Sequence, residues 1–159
     1  MFISKVLLLA ATASAQLPDG FAYTIDVDPV SGMLQFDVTI PEDTYFGIAF
    51  GKGMVKVDMV RFVGSGGGSV EDLWSKFYGS PDRDVQDDYQ NTQVVKNGGS
   101  YTFTTYRELV TSDPNNEDYQ FNNNDPKEMQ WVANVNTSDL KKHTHDGEFT
   151  LSFASDGSV

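Results

Sequence analysis

Strict alternation of apolar and polar side chains is the feature that most constrains this chain. Phe21, Tyr23, Ile25 and Val27 are separated by Ala22, Thr24 and Asp26, and Leu34, Phe36, Val38 and Ile40 by Gln35, Asp37 and Thr39. A period of two belongs to a strand with one face on a core and the other toward water. Asp28-Pro29-Val30-Ser31-Gly32 lies between the two runs and reads as a hairpin turn. Tyr45 to Gly51 is a denser apolar run, as a central strand is, and Val55 to Val63 reads as the next strand. Gly64 to Ser69 reads as a flexible loop. Extended segments follow at Val70–Tyr78, Val94-Val95, Tyr101–Val110 and Met129–Ala133, with a final alternating strand through Phe149, Leu151 and Phe153. Asn97-Gly98 is a hairpin signal. No stretch carries a helical period. Many short strands separated by turn residues predict an all-β fold, an immunoglobulin-like antiparallel β-sandwich.

The 159 residues amount to one domain, and 39% apolar residues supply a core. Lys and Arg number 11 against 23 Asp and Glu, a net charge of −12. A surface this acidic repels phosphate backbones, which excludes nucleic acid as a partner. The absence of cysteine excludes disulfides, thiolate-bound metals and thioether-linked haem.

Residues 1–15 read as a secretory signal peptide. Lys5 supplies the charge, Val6 to Ala11 the apolar centre and Ala13-Ser14-Ala15 the cleavage pattern. The apolar run is shorter than the ~20 residues that span a bilayer. The expectation is an exported chain, residues 16–159, folded as one domain and secreted or held at the cell surface. Asn136-Thr137-Ser138 is an N-glycosylation sequon in that setting. The acidic stretches Asp82–Asp88 and Asp113–Asp125 offer oxygens to Ca²⁺, but neither matches an EF-hand loop, and both read as solvated loops. No Ser-His-Asp order, phosphate-binding glycine loop or H-E-x-x-H motif is present.

A set of short motifs, in order, resembles the DOMON family of extracellular β-sandwich domains. Phe46-Gly47-Ile48-Ala49-Phe50-Gly51, followed by Gly53-Met54 and Asp58, resembles its first strand pair. Asp72-Leu73-Trp74 with Pro81, Asp84 and Gln86 resembles the segment that follows. Phe103 to Leu109 with Arg107, then Asp113, Trp131-Val132-Ala133, and Leu140-Lys141-Lys142-His143 with Gly147 complete the series. Asp146 departs from the basic residue common before that glycine, and two histidines stand where one is usual.

In haem-binding members of that family, a Met and a His are the axial ligands of a non-covalent b-type haem. The resemblance therefore implies haem b held by Met54 and His143, with Met59 and His145 as the alternatives. Thioether and imidazole ligands fill both axial positions of the iron and raise its potential. Two residues apart on an extended segment, His143 and His145 are expected to point the same way, one to the iron and one to a propionate. The ring is expected to enter at one end of the sandwich. Taken alone, Met54 is as well explained by core packing, and the histidines by exposure on a loop. Asp58 and Arg107 read as an internal ion pair, and Trp74 and Trp131 as core. The function implied is electron transfer without substrate chemistry, serving a redox partner protein. The competing uses are a haem-free module for sugar or another ligand, and a subunit of an extracellular assembly or homo-oligomer.

Overall fold

Backbone pairing follows the alternation. The computed structural model describes residues 6–9, 16–28, 30–113, 115–121 and 125–155. They form β1 (Val6–Leu9), β2 (Ala22–Val27), β3 (Leu34–Pro41), β4 (Tyr45–Ala49), β5 (Val57–Val63), β6 (Ser69–Ser75), β7 (Asp82–Arg83), β8 (Gln90–Asn97), β9 (Ser100–Arg107), β10 (Lys127–Asn134) and β11 (His145–Ser155). One sheet runs β1-β11-β10-β4-β5-β6-β7 and the other β2-β3-β9-β8. All pairings are antiparallel. This is the all-β sandwich that the alternation predicts. Among the described residues no helix is long and apolar enough to cross a membrane.

Of the leader expected over residues 1–15, only Val6–Leu9 lies within the described residues, antiparallel to Ser152–Ser155 at the sheet edge. Lys5 and the Ala13-Ser14-Ala15 cleavage pattern lie outside them.

The core lies between the sheets. Phe36, Val38, Ile40 and Phe103 of the small sheet meet Phe46, Ile48, Val60, Phe62, Trp131 and Leu151 of the large one. Phe62 and Phe103 cross edge-on across this interface, and Phe46 stacks on Trp131. β3 alternates buried and half-buried positions, the mark of a sheet with one wet face. β5, Val-Asp-Met-Val-Arg-Phe-Val, is instead buried at every position. Val60 and Phe62 enter the core, whereas Val57 and Met59 join Ala49 and Leu73 in a second apolar cluster on the outer face. The large sheet is thus covered on both sides over its centre, and that second cover makes the candidate site.

Three local readings change. Val94-Val95 belongs to the eight-residue β8, a mostly exposed edge strand with a register shift between Gln90 and Gln93. Gly64–Ser69 is a hydrogen-bonded turn, not a loose loop, with Gly64 N donating to Thr44 O and Gly68 N to Ser65 O. Gly68 has φ 82°, and a Cβ there would come within 2.6 Å of Val94 Cγ1, so close packing demands glycine. Trp131 is core, but Trp74 is only half-buried.

Candidate functional site

A cavity of about 460 Å³ opens on the outer face of the large sheet. Its floor is built from alternate residues of neighbouring strands: Tyr45 and Gly47 of β4, Met59 and Arg61 of β5, Leu73 of β6 and Val132 of β10. Period two places these side chains opposite the core-facing Phe46, Phe62 and Trp131. The walls come from Met54 in the β4–β5 loop, residues 78–81 after β6, and residues 140–143 between β10 and β11. The cavity therefore lies on a face of the sandwich rather than at its end, which corrects the expected entry. Loops of sufficient length roof a sheet face that is itself apolar.

Met54, Met59 and His143 all line this cavity. His145 does not: it lines a separate, shallow groove with Phe21, Glu42 and Val135. The expectation that both histidines point the same way fails because β11 starts at His145. Thr144 N donates to Ala133 O across the strand pair, and Thr144 Oγ1 contacts His145 Nδ1 at 2.9 Å. His143 Nε2 instead stands 3.4 Å from Asp146 Oδ1. Asn136 is exposed in the same β10–β11 connection.

Both segments carrying these groups are tied to the sheet. Gly53 N donates to Gln130 Oε1 at 3.0 Å, and Ser75 Oγ donates to Met54 O at 2.5 Å. On the other wall, Asn134 Nδ2 donates to Lys142 O at 2.9 Å, Tyr45 Oη to Lys141 O and Arg61 Nη2 to Ser138 O. Arg61 also pairs with Glu71 at 2.8 Å and lies 4.8 Å over the Tyr45 ring. Burial raises the pKa of the Tyr45 phenol, which keeps its proton available for that carbonyl. Sequence reasoning missed Tyr45, Arg61, Ser75 and Asn134. The available sign was Arg61, one of two charges inside a mostly apolar strand.

The residues present suit a flat apolar cofactor with a soft, borderline metal. A thioether and an imidazole share one largely apolar cavity, and Arg61, Lys141 and Lys142 line it as cations. Gly47 keeps the floor low, since a Cβ there would come within 2.9 Å of Val132 Cγ2.

The reverse face of the same β5–β6 ladder is polar at one end. Asp58 pairs with Arg107 as expected: Nη2 donates to Oδ2 at 2.8 Å, with both side chains buried. Tyr119 N donates to the same oxygen at 2.7 Å. Asp72, Asp84, Asp88 and Asp118 gather beside this pair. Desolvation pushes the Asp72 carboxyl up to about 8, Asp118 up to about 7 and Asp58 up to about 6, with Arg107 holding Asp58 lowest. The acidic stretches are therefore not simply solvated. Their exposed members are Asp82, Asp87 and Asp125, whereas Asp118 is buried and Asp84 and Asp88 are half-buried.

The DOMON domain family model matches residues 21–134. Comparison with curated proteins finds no matching sequence. Among solved structures, the fold is similar to the cytochrome domain of Myriococcum thermophilum cellobiose dehydrogenase, at TM-score 0.68 and 8% identity over 99% of this chain and 93% of that one. It is also similar to the cytochrome b domain of pyranose dehydrogenase from Coprinopsis cinerea, at TM-score 0.56 and 11% identity over 76% of this chain and 67% of that one. Identities this low speak to fold alone, but the family match covers most of the chain: this protein belongs to the DOMON domain family.

Proposed function

We propose that this chain is an exported electron-transfer domain that binds haem b non-covalently, with Met54 and His143 as axial ligands. The observation that carries the reading is the meeting of Met54 and His143, from connections distant in sequence, in one largely apolar cavity on the sheet face. The similarity of fold to two cytochrome domains supports it. Haem held there by Met54 and His143 would supply a one-electron iron couple for electron transfer.

The chain's own residues hold and tune the site. Tyr45, Arg61 and Asn134 fix the segment that carries His143, and Ser75 and Gln130 fix the loop that carries Met54. Asp146, beside His143 Nε2, orients the ring. Arg61, Lys141 and Lys142 offer positive charge to propionates. Leu73, Val132 and Met59 exclude water from the floor. Met59, on the floor of the same cavity, is the reserve sulfur ligand, whereas His145 lines a different groove and is set aside. A redox partner protein docks at the cavity mouth. Export follows cleavage after Ala15, and Asn136 accepts a glycan in a eukaryotic host.

The test is the absorbance spectrum of residues 16–159 expressed with haem, oxidised and dithionite-reduced. The reading expects a Soret band that shifts on reduction, with resolved α and β bands. Loss of those bands in both Met54→Ala and His143→Ala, with His145→Ala unchanged, supports the assignment. A folded, colourless protein that takes up no haem overturns it.

A further inference from the structure

β8 is an open edge. It is the last strand of the small sheet, pairs with β9 on one side only, and is exposed at every position except Val94. An edge of this length offers unpaired N–H and C=O groups to any extended segment that lies beside it, and short length or charge is the usual guard. Two other edges are guarded in that way. β7 is only Asp82–Arg83, both charged, and β2, at the far side of the small sheet, carries Asp26. β8 carries one charge, Lys96, which pairs with Glu42. No Asp or Glu occurs between Asp88 and Glu108, so the whole β8–β9 hairpin is free of acid in a chain of net charge −12. Asn91, at φ 53°, and the register shift between Gln90 and Gln93 bend the start of the strand, which leaves residues 93–97 as its regular part. Val95 lies opposite Thr102 and is 60% exposed, on the outer face of the sheet, whereas Val94, opposite the buried Phe103, turns inward.

We propose that residues 93–97 of β8 pair antiparallel with the same residues of a second copy of this chain, across a twofold axis at Val95. A twofold contact of this kind uses one patch twice, so the patch must complement itself. That register sets Val95 against Val95 of the partner subunit and Gln93 against Asn97 of the partner subunit. An exposed β-branched pair is then covered, and two amide side chains meet on the same face. Charge selects the occupant. A basic partner gains more at the acidic stretches elsewhere on the chain. A second copy is as acidic as the first, and the acid-free hairpin is where two such chains approach with least repulsion. Main-chain hydrogen bonds across the edge join the two small sheets into one. No residue lining the outer cavity belongs to β8 or β9, so the cavities of both copies stay open. So short a ladder buries less than a standard interface, and the dimer is a weak one that dissociates in the micromolar range.

The experiment is sedimentation equilibrium of residues 16–159 from low micromolar to near-millimolar concentration, with amide hydrogen exchange at both ends of that range. A reversible monomer–dimer equilibrium is expected, with exchange across residues 93–97 slowing as concentration rises. Val95→Lys sets like charges opposite each other and should weaken the dimer about tenfold or more. The melting temperature of the monomer should not change, because the position is exposed. Val85→Lys, at an exposed valine outside the hairpin, should leave the dimer intact. A monomer throughout the range overturns the proposal, and so does a dimer that survives Val95→Lys. A dimer lost instead in Tyr78→Lys also overturns it and places the contact at the cavity mouth. If Val95→Lys disturbs folding, exchange in the unmutated chain decides, and protection at residues 93–97 that is independent of concentration overturns the proposal.

Discussion

Asp72 and Leu73 are adjacent on β6 and point to opposite faces of the large sheet. Leu73 pairs with Met59 in the ladder and lies on the cavity floor, while Asp72, beside Val60, turns into the carboxylate cluster. Asp58 and Met59 repeat the relationship on β5. One two-stranded ladder is therefore shared between an apolar cavity and a buried acidic cluster, and a change in either reaches the other through one layer of backbone.

Leu73→Ala tests the floor. Leu73 is 3% exposed and packs with Ala49, Val57 and Met59. Removing its branched end should cost about 2–4 kcal/mol in urea unfolding. Haem retention should fall with it.

The Arg107–Asp58 pair should behave as a buried ion pair in which each half is costly to remove alone. Arg107→Met leaves the buried Asp58 carboxyl unmatched and should destabilise the chain by about 3–5 kcal/mol. Arg107→Met combined with Asp58→Leu should recover at least half of that loss. A double-mutant cycle by denaturant unfolding reads the coupling, and strictly additive losses would count against the pairing.

Tyr45→Phe separates positioning from packing. The hydroxyl donates to Lys141 O, so its loss frees the segment that carries His143. Stability should fall by about 1 kcal/mol. The haem off-rate, measured by transfer to an apo-globin, should rise by more than that stability loss accounts for.

Gly147→Ala should be among the most disruptive small changes. A Cβ at Gly147 would meet the Trp131 indole at 2.6–2.7 Å, and Trp131 is fixed in the core against Phe46. The expected cost is about 2–3 kcal/mol, because overpacking moves a ring that has no free volume behind it. A wild-type melting temperature would contradict this packing.

Stability should fall as pH rises from 5 to 8.5. The folded-state pKa values of Asp58, Asp72 and Asp118 lie near 6, 8 and 7, above the ordinary carboxylate value of about 4. Their stabilising contribution is fully present below about pH 4 and is lost as pH climbs through the folded values. Asp28 and Asp113, whose values are lowered, act in the opposite sense but only in more acid solution. A drop in melting temperature of roughly 5–10 °C across this window is expected, given about 2–4 °C per kcal/mol for a chain of this size. A flat profile would show that the cluster carries no such strain.

The alternation in β2 and β3 determined by itself that the chain is a β-sandwich, because side-chain direction in a strand has a period of two and water sorts the faces. The Asn97-Gly98 turn was equally legible, since turn chemistry is local. Met54, His143, Asp58 and Arg107 were found through motif order, which places residue types along the chain but not in space. Only the tertiary structure decided the rest. β5 is mostly apolar on both faces, with one charge on each, Asp58 and Arg61, so its sequence does not say which face meets the second sheet and which is left to be roofed by loops. His143 and His145 differ in place because Thr144 locks the start of β11, a cross-strand contact with no local signature. The acidic stretches read as solvated because charge favours water in any single segment. Packing Asp84, Asp88 and Asp118 onto β5 and β6 sets that preference against burial of the elements that carry them, and this balance exists only in the assembled fold.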